Sequence, residues 1–128
     1  LLDGTEGYVH FLHMLDRPNE TAVHLDIANL IHDARTMYSQ RAIWGEAIDV
    51  LGPRVRSIHI KDLRLDARAM NTQLTEVLPG SGQLDLEYVL QLIDTLSDDI
   101  PVMLEHLPDE ASYDAAASYV RTAAPQKR

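Results

Sequence analysis

The chain has 128 residues, of which 45% are hydrophobic, and this is enough to bury the core of one domain. Its twenty acidic and eleven basic residues give a formal net charge of −9, which disfavours nucleic-acid binding, and the lack of cysteine excludes disulfides and thiolate metal sites. No apolar run approaches the roughly 20 residues that cross a bilayer, so we expect a cytoplasmic protein without membrane contacts.

The first half of the chain predicts two helices around one strand. A helix is expected over residues 6–15, capped by Thr5, and a strand over residues 21–27, where apolar and polar residues alternate. A loop over residues 28–33 then leads to one long helix over residues 34–51. This helix is expected to end because a Gly-Pro pair follows it.

The second half of the chain continues the alternation of strands and helices. It predicts a strand, a long loop, a helix, a strand and a helix, over residues 55–61, 62–82, 86–96, 100–105 and 110–124 in that order. A loop of about 20 residues inside a compact domain is uncommon and usually has a function.

The predicted order αβαβαβα indicates an α/β fold with three parallel strands joined by right-handed crossovers. Two architectures share this order, an open three-layer sheet and part of a (β/α)8 barrel, which has about 250 residues when complete. Three strands cannot close a barrel by themselves. No internal repeat or linker divides residues 1–128, so we expect a single domain.

Three ionisable residues stand where the predicted strands end. Asp26, His59 and Glu105 each lie at the carboxyl end of a strand, where parallel α/β folds place their sites. Strand alternation puts all three on the face opposite the apolar residues, together with His24 and Lys61. Each residue alone could be a loop cap, an interior histidine or the partner of an arginine. Their convergence from three strands instead indicates a shared site.

Two carboxylates and one imidazole form a hard to borderline ligand set. Such a set suits Mn, Mg, Co or Zn and leaves positions open for water or substrate oxygens. The sequence therefore predicts a divalent metal as cofactor, with Asp26, His59 and Glu105 as its ligands.

Four short motifs also follow one another in the order of a known family. They are D-x-x-N, H-x-K-D, P-G-x-G-x-x-D and L-E-H, at residues 26–29, 59–62, 79–85 and 104–106. In this combination the chain resembles the xylose-isomerase-like sugar phosphate isomerases and epimerases over nearly its whole length. The resemblance implies the C-terminal half of a (β/α)8 TIM barrel, made of the sixth to eighth βα units and the preceding helix.

The resemblance implies a fourth metal ligand as well. In that family a glutamate from the fifth strand completes the site beside the residues that correspond to Asp26, His59 and Glu105. No residue of this sequence matches that glutamate, since Glu6 falls in the first predicted helix. We therefore expect residues 1–128 to be a partial barrel domain, inactive unless the missing half is supplied.

By the same resemblance we expect a divalent-metal-dependent isomerase or epimerase. Its substrate would be a sugar, a sugar phosphate or a related polyol ketone, and its reaction proton abstraction through a metal-stabilised enediolate. Glu105 would be both ligand and catalytic acid or base, while Asn29, Lys61 and Arg64 are candidates for substrate binding. Asn29 and Lys61 have equally good structural interpretations, as a turn residue and as an ion-pair partner. His106 is expected to face the helices and to be structural.

Three other functions fit the same sequence less closely. An inositol-ketone dehydratase would use similar ligands on the same scaffold. Abasic-site DNA endonucleases share the fold, but they carry a histidine where this chain has Asn29, and they bind nucleic acid. The third alternative is a non-catalytic truncated half-barrel. Its outer strands would have open edges, so we expect a homo-oligomer formed by edge pairing, or union with a missing N-terminal half.

Overall fold

The computed structural model describes residues 4–66, 68, 71–97 and 99–126. The helices and strands are α1 (Thr5–Leu15), β1 (Val23–Asp26), α2 (Ala34–Tyr38), α3 (Gln40–Leu51), β2 (Val55–Ile60), β3 (Asp62–Leu65), β4 (Leu74–Val77), α4 (Leu86–Ile93), β5 (Val102–Leu104) and α5 (Glu110–Ala123). Within the described ranges, no helix combines the length and the apolar character that a bilayer crossing requires.

Three strands form a parallel sheet in the order β1-β2-β5. This confirms the predicted α/β fold with three parallel strands. The register sets Asp26 of β1 beside His59 of β2, and His59 beside Met103 of β5. Since all three strands run in one direction, their carboxyl ends meet at one edge of the sheet.

The hydrophobic core lies between one face of the sheet and the helices. The buried strand residues Val23, Leu25, Ile58 and Ile60 pack into one cluster with residues of α1, α3 and α4. Trp44 of α3 is 1% exposed, and its indole N–H donates a 2.9 Å hydrogen bond to the Ile27 carbonyl. On the opposite face of the sheet, His24 and Met103 are exposed, whereas Asp26 and Lys61 at the carboxyl edge are buried. The alternation of apolar and polar residues along β1 and β2 produces this division.

The single helix predicted over residues 34–51 is instead two helices that meet at Ser39. Ser39 has φ −106° and ψ 12°, and its amide donates to the Arg35 carbonyl at 3.0 Å. The Gln40 side chain donates to the Met37 carbonyl at 2.8 Å. A continuous helix would offer that carbonyl to the amide four residues later. The competing side-chain hydrogen bond accounts for the break.

The prediction of a loop over residues 62–82 was wrong in part, because the stretch contains two strands that form an antiparallel hairpin. Strand β3 pairs with β4, so that Asp62 lies opposite Val77 and Leu65 opposite Leu74. Strand β4 contains the β-branched residues Thr75 and Val77, which favour extended structure. Of the hairpin's connection, residues 67, 69 and 70 lie outside the described residues.

The Asp62 carboxylate organises the loop that follows β4. It is 1% exposed and accepts four backbone hydrogen bonds, from Leu63 at 2.8 Å, Gly80 at 2.9 Å, Gly82 at 2.8 Å and Leu84 at 3.1 Å. A Cβ atom at Gly82 would lie 2.1 Å from the Asp62 Oδ1 atom. Glycine is therefore required at this position by the close approach of the carboxylate.

We expect Gly82→Ala to destabilise the chain by roughly 2–3 kcal/mol, because the added methyl group displaces the Asp62 carboxylate from the loop amides. The matched control is Gly45→Ala in α3, where the nearest atom to the added Cβ is the Tyr88 hydroxyl at 3.8 Å. That variant should gain about 0.5–1 kcal/mol from helix propensity. Urea unfolding measures both changes, and equal effects at the two glycines would contradict the role of Asp62.

The open edges of the outer strands predict self-association of the chain. Among the described residues, β1 and β5 each pair only with β2, so each presents an open edge. We expect the 128-residue chain to self-associate through these edges, and a charge at the exposed Met103 of β5 to weaken the association. Light scattering after size exclusion should show a dimer or larger species that Met103→Lys shifts toward monomer. A wild-type monomer at every concentration would refute edge pairing.

Candidate metal centre

Three potential metal ligands meet at the carboxyl edge of the sheet. One donor atom from each of Asp26, His59 and Glu105 lies within 4.8 Å of the other two. The His59 Nδ1 atom is 2.9 Å from Glu105 Oε1 and 4.0 Å from Asp26 Oδ2. The structure thus brings together the three residues that strand alternation had selected.

The loop that follows β1 holds the Asp26 carboxylate in place. Its Oδ1 atom accepts hydrogen bonds from the backbone amides of Ala28 at 3.0 Å and Asn29 at 3.3 Å. Asp26 is 8% exposed. Because one oxygen is occupied by the turn, Oδ2 is the oxygen that faces the site.

His59 is oriented by the other residues on its face of the sheet. The His24 ring meets the His59 ring edge to face, with centroids 4.0 Å apart and an interplanar angle of 79°. His24 is itself fixed by a 2.5 Å contact between its Nδ1 atom and the Ser57 hydroxyl. This packing restricts rotation of the His59 ring and keeps its Nδ1 atom toward Glu105.

Lys61 stands at the centre of the site. Its ammonium group lies 2.9 Å from Asp26 Oδ2, 2.5 Å from Glu105 Oε1 and 3.6 Å from Glu76 Oε1. The residue is 6% exposed. Burial lowers the pKa of Lys61, but hydrogen bonds to Glu105 and Asp26 outweigh burial and raise the pKa above its usual value. The ammonium therefore stays charged at neutral pH.

The same contact makes Glu105 more acidic. The hydrogen bond from Lys61 lowers the pKa of the Glu105 carboxyl below its usual value, and burial opposes this effect only in part. Glu105 is ionised at neutral pH as a result, which is the state that a metal ligand or a general base requires.

The residues present fit a divalent cation. Three carboxylates, those of Asp26, Glu76 and Glu105, lie within 3.6 Å of one ammonium group, which leaves two negative charges in excess. Donor atoms on one ion are separated by at most about 4–4.6 Å, twice the usual metal–donor distance, so the three ligands need only a small contraction. Lys61 occupies the position of a cation between Asp26 and Glu105.

The three residues predicted to bind substrate differ in their relation to this centre. The Arg64 guanidinium is exposed and donates to the Ser81 carbonyl, which ties β3 to the following loop. Asn29 contributes its backbone amide to Asp26, while the residue as a whole is exposed. Lys61 is in the site, but its contacts are those of an internal ion-pair partner.

Two residues of the site were missed by the sequence interpretation. Glu76 was assigned to a loop, since residues 74–77 (Leu-Thr-Glu-Val) do not alternate between apolar and polar, and the β-branched residues Thr75 and Val77 are the only local signal of a strand in this segment. His106 was expected to face the helices, but its Nδ1 atom lies 2.9 Å from Glu76 Oε2 and its Nε2 atom 3.7 Å from Glu105 Oε2. Its left-handed backbone, with φ 59°, reverses the orientation that strand alternation predicts.

No protein-family model matches the chain, and no curated protein is significantly similar to it. The functional argument accordingly depends on the geometry of the site and on the motifs of the sequence.

Replacement of the central cation should destabilise the metal-free chain. In Lys61→Met, Asp26 and Glu105 lose their common partner, and we expect a loss of roughly 2–4 kcal/mol of unfolding free energy in EDTA. Mn²⁺ should restore part of that loss, since the ion supplies the missing positive charge. Urea unfolding with EDTA and with MnCl₂ measures both effects.

The control is Arg35→Met, which removes an exposed charge from α2. Its stability should change by less than about 0.5 kcal/mol, and it should not acquire an additional response to Mn²⁺. If Lys61→Met behaved in the same way, the ammonium group would not be what holds the two carboxylates together.

Proposed function

We propose that this protein is a divalent-metal-dependent isomerase or epimerase that acts on a sugar or a related polyol ketone. The observation that carries the proposal is the convergence of Asp26, His59 and Glu105 at the ends of three parallel strands, around a buried positive charge. Two carboxylates and an imidazole with open coordination positions can bind a metal together with two adjacent substrate oxygens.

The proposal includes an assignment of the fold to part of a (β/α)8 barrel. Strands β1, β2 and β5 would be the sixth, seventh and eighth strands of a (β/α)8 barrel, of which residues 1–128 are the C-terminal part. The parallel order, the position of the ligands at the carboxyl edge and the four motifs in sequence order support this assignment.

In the proposed reaction a proton is removed from the carbon next to a ketose carbonyl. A bound divalent ion would polarise the carbonyl and make the neighbouring proton easier to remove. Asp26 and His59 would hold the ion, and the ring contact from His24 would keep His59 oriented. Because Asp26 is fixed by loop amides, its Oδ2 atom is already directed toward the ion.

Glu105 would move the proton. It is ionised at neutral pH, and 26% of its side chain is exposed toward the mouth of the site, where a substrate can reach it. While Lys61 donates to Glu105, the carboxylate is a weak base. The ammonium group of Lys61 also lies 3.6 Å from Glu76 Oε1, so Lys61 has a second carboxylate partner when Glu105 takes up a proton.

Proton exchange tests this assignment. In a protein that includes the proposed N-terminal part of the barrel, supplied with Mn²⁺, we expect exchange of the proton adjacent to a ketose carbonyl with solvent deuterium. Glu105→Gln should lower the exchange rate by on the order of 10²- to 10⁴-fold, since an amide cannot accept the proton. NMR of ketoses incubated in D₂O gives the rate, and elemental analysis gives the metal content.

Glu46→Gln is the matched control, because Glu46 is an exposed glutamate on α3 remote from the sheet edge. It should leave both exchange and metal content unchanged. Exchange that is insensitive to EDTA, or that survives in Glu105→Gln at the control rate, would rule out the proposed chemistry.

A further inference from the structure

A recess of about 200 Å³ adjoins the metal centre and shares Lys61 and Glu105 with it. The rest of its lining comes from two separate segments of the chain. Residues 76–79, at the end of β4 and in the following loop, form one wall. Residues 106–108 and Ser112, between β5 and the first turn of α5, form the other. The distance between the two walls therefore decides what the recess can hold.

The wall formed by residues 76–79 ends in a tight turn, which the Pro79-Gly80 pair favours. The Ser81 amide donates a 2.8 Å hydrogen bond to the Leu78 carbonyl, and Gly80 has φ 90°. Both features match a type II turn, with proline at its second position and glycine at its third. Because the turn is closed by its own hydrogen bond, a contact at Gly80 also fixes Leu78 and Pro79, which line the recess.

Tyr119 of α5 makes a contact at this glycine. Its ring lies so close to Gly80 that an added Cβ atom would be 2.7 Å from the ring carbons Cδ2 and Cε2. The ring thus occupies the space that a side chain at position 80 would fill. Glycine is therefore required here twice, by the left-handed backbone of the turn and by the tyrosine ring.

Tyr119 is also one of few large side chains that hold α5 in place. Ala116 is the one fully buried residue of this helix, and Tyr119 and Val120 are its large side chains packed against the core. Val120 lines a groove together with residues of α4, whereas Tyr119 lies against the turn. Since α5 begins in the second wall, the contact between Tyr119 and Gly80 joins the two walls of the recess.

The ring of Tyr119 makes this contact, and its hydroxyl carries no charge. Burial raises the pKa of the Tyr119 hydroxyl above its usual value, and the charges of Asp62, Glu87 and Asp85 raise it further. The phenol is therefore neutral at neutral pH. Removal of the hydroxyl alone should matter less than removal of the ring.

We propose that Tyr119 is a positioning residue that fixes the width of the recess, by holding the turn of residues 78–81 at a set distance from the first turn of α5. Tyr119 is not itself part of the recess lining, so it acts through the turn. The inference rests on the proposed function in one respect, since it takes the recess to receive the part of the substrate that extends beyond the metal ligands.

The concentration dependence of proton exchange tests this role, in the protein that includes the proposed N-terminal part of the barrel. The probes are D-fructose, D-tagatose and D-xylulose, with Mn²⁺ present. Tyr119→Ala should raise KM about five- to fifty-fold and change kcat less than about three-fold, because the strands still hold the ligands while the walls lose their fixed spacing. Tyr119→Phe keeps the ring, so its KM should stay within about two-fold of the wild-type value.

The matched control is Tyr113→Ala, which removes a tyrosine that is 38% exposed from the same helix. It should leave KM and kcat unchanged. If Tyr119→Ala and Tyr113→Ala had the same KM, the positioning role of Tyr119 would be overturned.

Amide hydrogen exchange examines the turn directly and needs no substrate. The Gly80 and Gly82 amides donate to Asp62 at 2.9 Å and 2.8 Å, which protects them from exchange. Tyr119→Ala should speed exchange in residues 78–84 at least about ten-fold, whereas Tyr113→Ala should not. Unchanged protection of β2 shows that the fold is retained. If Tyr119→Ala does not fold, Tyr119→Leu keeps apolar bulk on α5 without the ring and gives the same comparison.

A double variant tests the contact between the ring and the turn. In the wild type, Gly80→Ala conflicts with both the left-handed backbone and the Tyr119 ring. In the Tyr119→Ala background the backbone conflict alone remains, so Gly80→Ala should lower the urea midpoint by only roughly half as much. Equal losses in the two backgrounds would refute the contact.

The two kinds of measurement separate this inference from the proposed function. Faster amide exchange of the turn in Tyr119→Ala, in a protein that exchanges no ketose proton, would sustain the link between the walls and refute the isomerase. Proton exchange whose KM does not respond to Tyr119→Ala would sustain the isomerase and refute the positioning role.

Discussion

The buried ammonium of Lys61 is the interaction on which the arrangement of the site depends. Asp26 and Glu105 come from strands on opposite sides of β2, and mutual repulsion would separate them without a cation between them. Lys61 follows β2 directly, level with Glu105 in the register of the sheet. A positive charge at this position therefore holds the two carboxylates together. A divalent ion would balance their charge more completely, because one ammonium leaves the surrounding carboxylates in excess.

Asp62, the residue after Lys61, links the site to the hairpin and to the loop that follows it. Lys61 and Asp62 are adjacent, and their side chains serve different partners. Lys61 binds the carboxylates of the site, whereas Asp62 binds the amides of the loop that contains Gly80 and Gly82. Asp62 also begins the hairpin on which Glu76 is carried. Asp62 thus joins the loop to the hairpin that carries Glu76, and its close approach to Gly82 leaves no space for a Cβ atom there.

The parts of the fold that follow from periodicity could be predicted from the sequence. Local patterns of apolar residues predicted the three parallel strands and the helices between them. The same patterns, as alternation along each strand, selected Asp26, His59 and Glu105. The helix break at Ser39 and the hairpin could not be predicted in this way. The break arises from the Gln40 side chain, which also accepts a 2.7 Å hydrogen bond from the Asp85 backbone amide. That hydrogen bond spans 45 residues and has no local signal in the sequence.

The site likewise contains residues that periodicity could predict, namely Asp26, His59 and Glu105, and residues that it could not, namely Glu76 and His106. A ligand at the end of a strand is fixed by the direction of that strand, so its position can be read from sequence spacing. The positions of Glu76 and His106 depend on a hairpin register and on one left-handed residue after β5. Alternation predicted the helix side for His106, and a single backbone rotation moved it to the ligand side. The three candidate ligands are thus specified by regular structure, whereas the positions of Glu76 and His106 are specified by its irregular ends. Substitutions at those ends can therefore change the surroundings of the site without disturbing the strands that carry Asp26, His59 and Glu105.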